Sequence, residues 1–112
     1  MRRLWLFLLL AGCSKGPQAD LQYISEARSA AAEWAMVNEQ ANRGKLTATY
    51  VDSVRQSLRE QVEAARSSLT EPDSDYSLEI ASLASEPDDA APDALRAHAD
   101  TLKTIEDRLE SA

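Results

Sequence analysis

The chain has 112 residues, with 19 acidic against 12 basic side chains and a net charge of −7. That length suits one small domain with a modest core, and the carboxylate excess argues against nucleic acid, whose binders present basic faces, and against a polybasic membrane patch. A single cysteine and a single histidine leave no histidine pair or CxxC to hold zinc.

The opening stretch, MRRLWLFLLLAGCSKG, sets a basic head (Arg2, Arg3) before a wholly apolar run, residues 4–10, and then small residues and a cysteine. These are the parts of a secretory signal. The run is far short of the roughly 20 residues that a membrane-spanning helix needs. Two arginines alone read as the basic region of the general secretory route.

Leu10-Ala11-Gly12-Cys13 resembles the lipobox of bacterial lipoproteins, [LVI]-[ASTVI]-[GAS]-C, at all four positions. The resemblance covers only the signal and its cut site. It implies cleavage between Gly12 and Cys13, a diacylglyceryl thioether on Cys13, and fatty acylation, palmitate for instance, of the new amino group. Two or more acyl chains anchor stably, at about 0.8 kcal/mol per buried CH₂. Ser14 in place of aspartate looks like an outer-membrane address, with the protein facing the periplasm. A lipidated Cys13 would leave neither a free thiol nor a disulfide. The expected organisation is a signal peptide over 1–12, a lipidated tether over 13–19 and a helical domain over 20–112. Loss of Arg2 and Arg3 leaves ten basic against nineteen acidic side chains, a net charge of −9.

In the remaining chain glycine and aromatics are scarce, alanine is abundant and strand-like alternation is rare, which predicts helices packed through small side chains. Gly16-Pro17 reads as a break within the tether. Asp20 is the expected N-cap of a first helix running to about residue 42. Tyr23, Ala27, Ala30, Trp34, Val37 and Ala41 share one face of it, widened by Ile24, Ala31 and Ala35. Gly44 is placed to end it in a left-handed conformation. Thr47 is the expected cap of a second helix, to about residue 69, with Val51, Val54, Leu58, Val62, Ala65 and Leu69 as its stripe. The short break between the two predicts antiparallel neighbours.

Pro72 excludes helix from the loop over 70–75. Residues 76–85 read as a short helix whose apolar set is Tyr76, Ile80, Leu83 and Ala84. After a second loop, Pro92 suits the first turn of a last helix, with Asp93 favourable near its positive end. Its stripe is Leu95, His98, Leu102, Ile105 and Leu109. The fold class is therefore all-α: a small helical bundle, or an antiparallel hairpin plus one short and one longer C-terminal helix. The prolines at 72, 87 and 92 set it apart from murein lipoprotein.

No catalytic constellation or cofactor motif is legible, so the expectation is a protein without enzymatic activity or cofactor. His98 lies within an apolar stripe without an evident partner, and reads as a packing residue rather than a ligand or pH sensor. Asp73-Ser74-Asp75 with Glu79 faintly suggests a calcium loop, but the glycine and the closing glutamate of an EF-hand are replaced by Leu78 and Ala84. Carboxylates at helix starts explain those acids, and Asp88-Asp89 as well. Trp34, Tyr50 and Tyr76 are candidates for a partner-binding surface, with core packing the simpler role for Trp34. The expected function is that of a lipid-anchored envelope protein, structural or accessory, binding an envelope partner or itself. An acidic module binding a small or cationic ligand in the periplasm is the alternative.

Overall fold

The computed structural model describes residues 16–112, so the signal peptide, the Gly12–Cys13 bond and the lipidated Cys13 lie outside the described residues. Among those residues are four helices and no strand: α1 (Pro17–Asn42), α2 (Ala48–Ser68), α3 (Asp75–Ala84) and α4 (Pro92–Glu110). The all-α class holds, with the short third and longer fourth helix in their expected places.

The first helix begins three residues before Asp20. Pro17 occupies its first position, where a missing N–H costs nothing and a fixed φ is already helical. Gly16 precedes it at φ +97°; its carbonyl accepts from the N–H groups of Ala19 and Asp20, and its own N–H donates to Thr70 Oγ1 at 3.1 Å. Gly16-Pro17 thus starts the helix instead of breaking it. Asp20 does not cap it, since it sits inside the first turn and is fully buried.

The other end of α1 closes as a Schellman motif. Gly44, at φ +70°, donates its N–H to the Ala41 carbonyl, and Lys45 donates to Gln40, both at 3.0 Å. Positive φ is strained for a residue with a Cβ, and glycine removes that cost. Thr47 then caps α2 by accepting from the Tyr50 N–H. Ser74 does the same for α3, accepting from Ser77. No side chain caps α4, which starts on Pro92.

α1 is the middle of the bundle. α2 and α4 pack along it, α3 packs between α2 and α4 and touches α1, and α2 and α4 do not approach one another. A helix serving two full-length neighbours must bury a wide face. Accordingly Ile24, Ala27, Ala30, Ala31, Trp34, Ala35 and Val37 are all buried, while Tyr23 and Ala41 at the edges are only partly so. The alanines admit close neighbours; Trp34, Ile80, Leu83, Leu95 and Leu102 supply most of the bulk. The stripe of α2 is buried at Val51, Leu58, Val62 and Ala65, and that of α4 at Leu95, Leu102 and Ile105, with Ala99 added.

Candidate functional site

Three clusters of polar side chains interrupt this core, and each joins elements far apart in sequence. The first surrounds His98. The α4 stripe turns its ring toward α3, where both nitrogens meet carboxylates: Nδ1 pairs with Glu79 of α3, and Nε2 pairs with Glu86 of the α3–α4 connection at 2.7 Å. The ring side chain is 13% exposed, and the Glu79 and Glu86 side chains 22% and 23%. Burial pulls the imidazole pKa down, but the two carboxylates, through hydrogen bonds and charge, outweigh it and hold the pKa above the ordinary histidine value. His98 is therefore not the unpartnered packing residue expected of it. Because the carboxylates approach opposite ring nitrogens, they do not converge on one ion, and no group of three or more His, Cys, Asp or Glu among the described residues could hold a metal.

The second cluster closes the far end of the bundle. Trp34 is 1% exposed and donates from Nε1 to the Asp88 carbonyl at 2.9 Å. Asn38, equally buried, donates to the carbonyls of Asp88 and Ala90 and accepts from Arg55 Nε. Arg59 of α2 lies over the indole, 5.0 Å from its centroid, in cation–π range. Its guanidinium donates to the carbonyls of Ala84 and Glu86 and pairs with the Asp88 carboxylate at 2.8 Å. Ala84 ends α3, so Arg59 satisfies a carbonyl that the helix leaves without a partner. Asp88 contributes through its backbone and Arg59, not as a carboxylate at the start of α4.

The third cluster lies at the end where α1 begins. The Asp20 carboxylate accepts from the Thr70 N–H at 3.0 Å, from Thr70 Oγ1 at 3.1 Å and from the Tyr76 hydroxyl at 2.7 Å. Burial, and then the hydrogen bond to Asp20, push the Tyr76 phenol up to about 12. An ionised phenol beside a buried carboxylate would set two negative charges side by side. Every buried side-chain polar atom among the described residues has a partner.

Of the three aromatics expected on a partner-binding surface, two are therefore in the interior. Trp34 and Tyr76 spend their ring faces on the core and their single donors on Asp88 and Asp20. Tyr50 alone is exposed, beside exposed Met36, at a shallow groove between α1 and α2 lined also by Val37 and Val54. Asp75 carries no calcium-like geometry; it lies in the first turn of α3 and pairs with Arg108 of α4 at 2.9 Å. Cys13 and Gly12 lie outside the described residues. Asp20, Asn38, Arg59 and the two glutamates were not legible as a site, because each is completed by residues 12 to 56 positions away. No protein-family model, curated protein or solved structure matches this chain.

Proposed function

We propose that this chain is a lipid-anchored protein of the cell envelope with a structural or accessory role, held at the outer membrane by acyl groups on Cys13 and acting by contact rather than catalysis. The observation that carries the reading is Leu10-Ala11-Gly12-Cys13 at the end of a short apolar run. The start of α1 at Pro17 supports it: four residues of chain reach at most about 14 Å, so a lipidated Cys13 would hold the Asp20 end of the bundle against the bilayer. No described helix is long and apolar enough to cross a membrane. Tyr50, in the second helix near the turn remote from Cys13, is the part of the expected contact surface that remains accessible.

Intact mass spectrometry of the protein from its own cells, with a Cys13→Ser variant alongside, tests the anchor. The wild-type mass should correspond to a chain starting at Cys13 with diacylglyceryl and acyl groups, and the variant should leave the membrane fraction or remain uncleaved. A variant processed at the same bond, and pelleting with membranes after an alkaline wash, would refute the reading.

A further inference from the structure

The charged groups that meet the His98 ring come from two segments. α4 carries the ring, α3 supplies Glu79 and the α3–α4 connection supplies Glu86; Arg59 of α2 holds the Glu86 carbonyl and the Asp88 carboxylate. A neutral imidazole has one N–H and one bare lone pair, and an ionised carboxylate can only accept. With a carboxylate at each nitrogen, a neutral ring would leave a lone pair facing an oxygen, whereas the imidazolium donates to both in charge-assisted hydrogen bonds.

We propose that His98, Glu79 and Glu86 are a pH-operated latch, in which the protonated ring ties both α3 and the α3–α4 connection to α4, and loss of the proton releases the connection. The neutral ring keeps one donor, and the two carboxylates compete for it unequally. Glu79 is carried on a helix fixed by Tyr76, Ile80 and Leu83, all 2% exposed or less. Glu86 lies past the Ser85 cap, in irregular chain. The connection is therefore the arm that lets go. It is also the segment whose Asp88 and Ala90 carbonyls hold the Trp34 indole and the Asn38 amide, so the charge on His98 governs how firmly it closes over them.

The sign follows from linkage. A histidine whose folded pKa lies above its unfolded value adds stability that is complete below that unfolded value and lost as pH rises through the folded one. Proton NMR of the chain's one histidine, in the full chain in detergent, reads the ring directly. The indole N–H resonance that Trp34→Phe removes reads the connection. The ring midpoint should lie above 6.5, and the indole resonance should shift with the same midpoint while the thermal midpoint falls. Glu86→Gln and Glu79→Gln should each lower the ring midpoint. Both should also uncouple the indole from it, the first by removing the arm and the second by leaving the neutral ring's donor to Glu86 alone. A wild-type ring midpoint at or below 6.5 overturns the latch, as does an indole that follows the ring in Glu86→Gln as it does in the wild type.

Discussion

Replacing Tyr76 by phenylalanine removes one hydroxyl from the interior and leaves the ring, so no cavity of any size forms. What is lost is the 2.7 Å hydrogen bond to the Asp20 carboxylate. A hydrogen bond to a charged group contributes roughly 1.5–3 kcal/mol, and the carboxylate keeps both Thr70 donors, so the expected loss is about 2 kcal/mol. For a domain of this size that lowers the melting temperature by roughly 10 °C. Asp20→Ala removes the acceptor and strands the buried Tyr76 hydroxyl, while Thr70 is exposed, so water can reach its N–H and its hydroxyl can turn to the Gly16 carbonyl. With one orphaned buried donor at about 1–3 kcal/mol and the loss of the Thr70 bonds to a charged acceptor, about 3–4 kcal/mol is expected. In the double variant the phenol is no longer there to be stranded, so the two losses should fall short of additivity by about 1.5 kcal/mol. Urea denaturation followed by far-ultraviolet circular dichroism measures all four corners of the cycle. A Tyr76→Phe loss below about 0.5 kcal/mol, or additivity within that margin, would refute the assignment of Asp20 as a shared acceptor.

Asn38→Leu should cost about 2–3 kcal/mol by chemical denaturation, because the Ala90 carbonyl and the Arg55 donor lose their partner; Asn38→Asp should cost more, since it replaces the donating amide nitrogen by an accepting oxygen that faces the Asp88 and Ala90 carbonyls. Arg59→Lys keeps the charge but cannot reach the carbonyls of Ala84 and Glu86 and the Asp88 carboxylate together, and should lose about 1–2 kcal/mol, with faster amide exchange in the α3–α4 connection. The Tyr76 phenol, held up to about 12 from its usual 10.0, should show as an ionisation near 12 in ultraviolet absorbance that Tyr76→Phe removes. Its contribution to stability is complete below pH 10 and lost between 10 and 12, and Tyr76→Phe should abolish that part of the alkaline unfolding.

The helices that serve as walls were legible from spacing alone. In α2 and α4 one face meets the bundle and the other meets water, so the seven-residue stripe names the buried residues, with Val54, Leu69 and Leu109 left at the margin. In α1 the stripe widened by Ile24, Ala31 and Ala35 names the buried apolar residues of a helix with two long neighbours, and what it leaves out are the two buried polar ones, Asp20 and Asn38. The caps that need only local chemistry, Gly44 and Thr47, were legible too. Asp20 was misread because an aspartate before an apolar stripe has the signature of an N-cap, and only Thr70 and Tyr76, 50 and 56 residues on, show that it is an interior acceptor. His98 was misread for the same reason: Glu79 and Glu86 are brought to it by the reversal of chain between α3 and α4.

A signal for the polar clusters was nevertheless present in the spacing. Asp20, Ile24, Ala27, Ala31, Trp34 and Asn38 recur at steps of four and three, so the two buried polar residues of α1 are the ends of one seam. Eighteen residues are five helical turns, which sets them on the same face about 27 Å apart. Each end receives one irregular connection of the chain: the α2–α3 connection docks on Asp20 through Thr70, and the α3–α4 connection docks on Asn38 through Asp88 and Ala90. Apolar contacts alone would place α3 weakly, because it has only ten residues and packs less extensively on α1 than either long helix does. Hydrogen-bonded ends do not tolerate a shift, since moving α3 by one turn, about 5.4 Å, would unpair Asp20 and Asn38 together and leave a buried carboxylate and a buried amide without partners. The register of the bundle is thus set at its two polar ends, and the Glu79–His98–Glu86 cluster fastens the same short helix and connection from the α4 side.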